Sequence, residues 1–119
     1  MKKISFDFDN TIAMSYMTYD GEQPIPVFQS YNDKIIKKIK KHIKEGDDIY
    51  IVTARTKEFE PDFPDQNIEY HLEKLGLKQY FWPDRVIYTA AAPKIDILHK
   101  LGVEKHYDDS IEEHKDALR

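Results

Sequence analysis

The chain has no cysteine among its 119 residues, so neither disulfides nor thiol chemistry is available to it. An intracellular, cytoplasmic home is the expectation. No apolar run approaches the length of a membrane span. Met1-Lys2-Lys3 leads into a strand with two aspartates rather than into the apolar core of a signal peptide. No internal repeat, low-complexity tract or linker interrupts the chain. An excess of positive charge is also missing. The net charge of −4 argues against a basic coat for nucleic acid or membrane, though not against a local basic patch. The composition suits one compact domain over 1–119: 40% hydrophobic residues build a core and 34% charged residues solvate its surface.

The chain is organised around Ser5-Phe6-Asp7-Phe8-Asp9-Asn10-Thr11-Ile12. Lys3–Phe8 reads as the first strand, with Ile4, Phe6 and Phe8 apolar. Residues i and i+2 of a strand share a face. A bend at Asp9-Asn10 turns Asp7 and Asp9 into one crevice at the strand's C-terminal end, where open α/β sheets bind ligands. Two carboxylates at ~4 Å repel by about 4 kcal/mol at an effective dielectric of ~20. A cation, a proton or a phosphate-handling role explains such a pair. A strand-ending turn is the bland alternative.

Residues 12–30 form a small flap, with a hairpin signal at Asp20-Gly21. Tyr16, Tyr19 and Phe28 either line a substrate mouth or pack the hairpin onto the body, the commoner use of aromatics. A helix runs from Asn32 to about Glu45 and stops at Gly46. Its apolar stripe is Ile35, Ile36, Ile39 and Ile43. Lys34, Lys37, Lys38, Lys40, Lys41 and Lys44 take the other faces, ordinarily a solvated surface and otherwise a seat for an anionic polymer. Asp48–Thr53 is the second strand, ending in Thr53-Ala54-Arg55-Thr56, and Lys57–Asp65 is a loop. A helix over Gln66–Leu75, a packing corner at Tyr80-Phe81-Trp82-Pro83 and a third strand at Arg85–Tyr88 come next. Pro93–Leu101 is a helix with proline in its first turn. Lys105–Tyr107 is a fourth strand leading into Asp108-Asp109. Ser110 and Glu113 then spell a capping box for a last helix to Leu118. Strands alternating with helices predict a mostly parallel sheet with helices on both faces. The five histidines show no metal-ligand spacing.

Four strand ends or helix starts carry polar groups of a particular kind: Asp7 and Asp9, then Thr53 with Arg55 behind it, then Lys94, then Asp108-Asp109. Lys94 stands in a helix's first turn, where a cation opposes the helix dipole by about 0.3–1 kcal/mol. The ordered set resembles the haloacid dehalogenase-like (HAD) phosphohydrolase superfamily. Asp7-Phe8-Asp9-Asn10-Thr11 matches its D-x-D-x-T motif, Thr53 its second motif, Lys94 its third and Asp108-Asp109 its acidic fourth.

The resemblance implies a Rossmann-like three-layer α/β sandwich and a phosphoric monoester hydrolase. Asp7 is then the nucleophile that forms an aspartyl-phosphate. Asp9 is the acid that protonates the leaving oxygen and the base that activates water. Thr53 and Lys94 hold the transferring phosphoryl. Asn10, Thr11 and Arg55 fall on the substrate side. Asp7, Asp9 through its backbone carbonyl, and Asp108 and/or Asp109 hold Mg²⁺. Neither residues 12–30 nor the stretch from Thr53 to Lys94 leaves room for a cap domain, which implies an open site. Capless relatives act on large substrates or cover the site by oligomerising. In architecture and rough spacing the chain is similar to the 3′-phosphatase domain of phage polynucleotide kinases. A phosphorylated nucleic-acid end is the implied substrate, with a nucleotide or sugar phosphate as the alternative. A phosphorylatable receiver-type switch and an inactive binding module are the non-enzyme alternatives.

Overall fold

A computed structural model describes residues 2–55, 67–90 and 94–107. The described elements are β1 (Lys3–Phe6), β2 (Ala13–Asp20), β3 (Gln23–Tyr31), α1 (Asp33–Lys44), β4 (Asp48–Thr53), α2 (Ile68–Leu75), α3 (Lys78–Phe81), β5 (Val86–Tyr88), α4 (Lys94–Leu101) and β6 (Lys105–Tyr107). Four strands make one parallel sheet in the order β5-β4-β1-β6, while β2 and β3 pair antiparallel as a separate hairpin. Between β1 and α1 the chain holds that hairpin and no helix.

Register explains how the sheet is buried. Ile4 pairs with Ile49 and Phe6 with Ile51, so these side chains share one face. That face takes Ile35, Ile36 and Ile39 of α1, Ile68 and Leu72 of α2, and Phe81 of α3. Val52 alternates to the other face, where it packs with Leu98 of α4 and Val103. Each fully buried Ile, Leu or Phe contributes roughly 1.5–3 kcal/mol. β1 and β4 are each paired on both sides, so the Asp7–Asp9 loop leaves a firmly held strand.

Several boundaries differ from expectation. β1 ends at Phe6, not Phe8, because the Phe8 carbonyl accepts the N–H groups of Thr11, Ile12 and Ala13 and turns the chain there. Asn10 sits at φ 59°, a left-handed conformation that asparagine tolerates. Phe8 nonetheless stays in the core. α2 starts at Ile68, since the Asn67 side chain accepts the Tyr70 N–H and caps the helix. The expected corner is in part a helix, α3, followed by a cis Trp82–Pro83 bond. The hairpin turn is Gly21-Glu22, with Gly21 at φ 67°. The loop at Lys57–Asp65, Gln66, Pro93, Asp108-Asp109, and the capping box with its helix to Leu118 lie outside the described residues. No helix among the described residues is long and apolar enough to cross a membrane.

Candidate active site

The site forms where β1 and β4, neighbours in the sheet, come to an end. One more ladder bond extends β1: the Asp7 N–H donates to the Tyr107 carbonyl at 2.8 Å. The Asp7 carboxylate in turn accepts the Phe8 N–H at 2.8 Å, which turns it back along its own backbone. Asp7 and Asp9 are both half-buried, on either side of the buried Phe8. On β4, Thr53 is fully buried. Its carbonyl accepts both the N–H (2.8 Å) and the hydroxyl (3.0 Å) of Thr89, tying the end of β4 to the loop beyond β5. Its Oγ1 accepts the Arg55 N–H at 3.2 Å.

Arg55 closes the crevice. Its Nε and Nη2 donate to the two oxygens of Asp9 at 2.8 and 2.6 Å, a two-pronged, charge-assisted pair. Its guanidinium carbon lies 4.9 Å from the centre of the Phe8 ring, within cation–π range. The Arg55 side chain is only 7% exposed, while Asp9 is 41% exposed. Solvent at Asp9 screens the pair, so its net contribution to stability is about 1 kcal/mol. Its larger effect is positional, since it fixes the direction of the Asp9 carboxylate. The sequence placed Arg55 beside the substrate. In the structure its guanidinium is engaged by Asp9, and the charge the acid pair calls for is met on one side from within the chain.

Asn10 and Thr11 follow the two acids in the loop, Asn10 exposed and Thr11 buried. The Asn10 Oδ1 accepts the Ser15 N–H at 3.3 Å, and the Asn10 N–H donates to the Ala13 carbonyl at 2.8 Å. Asn10 thus ties the acid loop to the root of the flap, beside the register shift at Met14/Ser15. Thr11 is buried, and its hydroxyl has no hydrogen-bond partner among the described residues. Lys94 is the first residue of α4, described for its backbone alone, and Asp108 and Asp109 lie outside the described residues.

The flap divides its aromatics. Phe28 and Tyr31 pack on the buried His71, with ring centres 4.6 and 5.5 Å away, and Phe8 reaches the same ring at 5.8 Å. The Tyr31 hydroxyl and His71 Nδ1 are hydrogen-bonded at 2.8 Å. Burial, with the nearby Tyr70 adding to it, pushes the Tyr31 hydroxyl above its usual pKa. Tyr16 and Tyr19, at 52% and 69% exposed, extend into solvent instead. The flap is anchored at its root, and the packing role expected for all three aromatics holds for Phe28 alone.

One grouping escaped the sequence. His42, Glu45 and Asp47 bring potential ligand atoms within 4.8 Å of one another at the C-terminal end of α1, the opposite end of the sheet from Asp7. A search for paired histidines cannot find a set with one histidine and two acids. His42 Nδ1 lies 2.8 Å from Asp47 Oδ2. That bond, with the Lys2 N–H next, holds the Asp47 carboxyl below its usual pKa.

No family model and no solved structure matches the chain. It is similar to the uncharacterized protein L684 of Acanthamoeba polyphaga mimivirus, 31% identical over 114 residues. The match covers 92% of this chain and 22% of L684, so the chain spans about a fifth of that relative's length.

Proposed function

We propose that the chain is a capless phosphatase of the HAD type, a Rossmann-like three-layer sandwich that hydrolyses phosphomonoesters with Mg²⁺ through an aspartyl-phosphate on Asp7. The observation that carries the reading is the acid loop Asp7–Asp9 leaving the interior strand of a parallel sheet, with Thr53 at the end of the adjacent strand and Arg55 joining the two. Open parallel sheets take their ligands at that edge.

The acid loop offers donors that fit a hard cation: carboxylate and carbonyl oxygens. Asp7, the Asp9 carbonyl, and Asp108 and/or Asp109 are the residues that would hold Mg²⁺. When bound, the ion offsets the charge of the carboxylates and of the phosphate. The chain's own residues do the rest. An Asp7 carboxylate oxygen attacks phosphorus, and the bond from phosphorus to the ester oxygen breaks. The departing alkoxide takes a proton from Asp9. Water then attacks the phosphoryl on Asp7 and gives its proton to Asp9, releasing phosphate and restoring both carboxyl groups. To carry a proton, Asp9 parts from Arg55, and the freed guanidinium pairs with phosphoryl oxygens in the same fork geometry. Thr53 hydrogen-bonds the phosphoryl and Lys94 offsets its charge.

With only a hairpin between β1 and α1, a phosphorylated nucleic-acid 3′ end is the substrate class this reading favours. The exposed Tyr16 and Tyr19 offer surfaces for stacking a terminal base. The test is hydrolysis of an aryl phosphate, a 3′-phosphorylated oligonucleotide, the matching mononucleotide and a hexose phosphate, each with Mg²⁺ and with EDTA. Mg²⁺-dependent turnover with the highest kcat/KM on the oligonucleotide is expected. Turnover that survives EDTA overturns the metal-assisted mechanism. A mononucleotide or sugar turned over equally well overturns the substrate class alone.

A further inference from the structure

The site at the strand ends involves none of the lysines of α1. In a chain of net charge −4, six of them stand on one helix, with Lys3 on β1, Lys105 on β6 and Lys2 just before β1. A cleft of about 460 Å³ gathers part of this charge: Lys2, Lys38, Lys41 and Lys105 line it, against Glu45 and Glu104. Two of the ammonium groups converge on a single ring. Lys38 Nζ lies 5.5 Å and Lys105 Nζ 4.6 Å from the centre of Tyr107. None of the four lysine side chains takes part in an ion pair among the described residues. Four ammonium groups against the two carboxylates of Glu45 and Glu104 leave the lining with an excess of positive charge, which a bound anion offsets.

We infer that this cleft binds a polyphosphate anion, either an inorganic chain or the phosphate tail of a nucleotide. The charge of such a chain matches several ammonium groups at once, which a monoanion does not. The volume falls within the ~300–1,000 Å³ of small-ligand sites. Of the cleft's two rings, Tyr107 is 3% exposed and stacked on Phe6 at 5.0 Å, and His42 is held by Asp47 through Nδ1 and packs against Tyr107 at 6.0 Å, so neither is set out as a platform for a base. Recognition therefore rests on charge, and lysine ammonium groups suit phosphate oxygens as mobile point charges. The inference stands apart from hydrolysis at Asp7, since the two sites share no side chain and meet only at the Tyr107 carbonyl that accepts the Asp7 N–H.

Calorimetric titration of the Asp7→Asn chain, in which turnover is silenced, tests it with tripolyphosphate, ATP, orthophosphate and a short unphosphorylated oligonucleotide. Tripolyphosphate and ATP should bind one to one, more tightly than orthophosphate, and more weakly as salt rises. Similar affinities for the two ligands point to the chain alone, and a preference for ATP points to a nucleotide tail. Lys38→Ala/Lys105→Ala should weaken both by roughly tenfold or more, while Lys38→Arg/Lys105→Arg keeps them. Lys41→Ala, an exposed helix position, provides a second loss if the double variant is poorly folded by circular dichroism. Unchanged affinity in the Ala variants, or binding no tighter than orthophosphate, overturns the proposal. So does an oligonucleotide that binds more tightly than tripolyphosphate, which would make the cleft a polymer track.

Discussion

At the ends of β1 and β4, charge is met from inside the chain: Asp9 by the forked Arg55, and Asp7 by the Phe8 N–H. In the cleft beside α1, the ammonium groups of Lys38 and Lys105 share one ring, and four lysines outnumber the two glutamates of the lining. A charge answered internally is a positioned charge, and it suits chemistry that depends on angles and distances. An excess of one sign of charge suits binding, because the ligand brings the missing counter-charge. The two regions also meet in the backbone. The Tyr107 carbonyl accepts the Asp7 N–H, and the Tyr107 ring carries the two ammonium groups.

The variant expected to separate the regions most is Asp7→Asn. It should lower kcat/KM for an aryl phosphate by about 10³-fold or more, with the melting temperature and tripolyphosphate affinity unchanged. Phe6→Ala should do the reverse and damage both regions together. Phe6 is fully buried between them, so its truncation costs about 3–5 kcal/mol in urea unfolding. Arg55→Ala comes next. If the guanidinium serves the reaction, kcat/KM falls by about 10²-fold while stability drops by only about 1 kcal/mol. A stability loss with unaltered kcat/KM would make Arg55 a structural tie.

A smaller effect is expected at Asp47, which bonds to Lys2 and His42 of the cleft. The folded-state pKa of Asp47 is depressed by its bonds to His42 and Lys2, so its stabilisation is present above the ordinary aspartate range. It is lost as pH falls through the lowered value. Asp47→Asn should therefore flatten the acid limb of a stability–pH curve below about pH 4 and leave turnover intact. Smallest of all is Tyr19→Ala, an exposed flap position, which should move stability by no more than about 0.5 kcal/mol in thermal unfolding.

Much of the scaffold was legible because periodicity reports burial. Ile35, Ile36 and Ile39 announced α1 and are its buried face. Ile49, Ile51 and Val52 announced the strand over Asp48–Thr53, and in β4 they are buried on its two faces. The acid loop was legible from its spacing, but its shape was not. Three N–H groups converging on the Phe8 carbonyl end β1 two residues early, and nothing in the side-chain pattern reports a carbonyl's partners. Arg55 on Asp9 was equally hidden, because a contact spanning 46 residues depends on which strands become neighbours. The Lys38–Tyr107–Lys105 grouping is of the same kind. The six lysines of α1 read as a solvated face and all are exposed, but that Lys38 also meets Tyr107 and Lys105 shows only once β6 is placed.

The phosphoryl group itself is the most direct witness to the role of Asp7. In Asp9→Asn the base for the second step is missing, so an aspartyl-phosphate should accumulate on the enzyme after mixing with Mg²⁺ and an aryl phosphate, whose leaving group departs without the acid that Asp9 supplies in the first step. Borohydride reduction of the acid-quenched protein, with peptide mass spectrometry afterwards, would convert a phosphorylated aspartate to homoserine and locate it. Homoserine at position 7, absent when Mg²⁺ is withheld, is the expected result. Turnover without any trapped aspartate, or homoserine at another position, would contradict nucleophilic catalysis by Asp7.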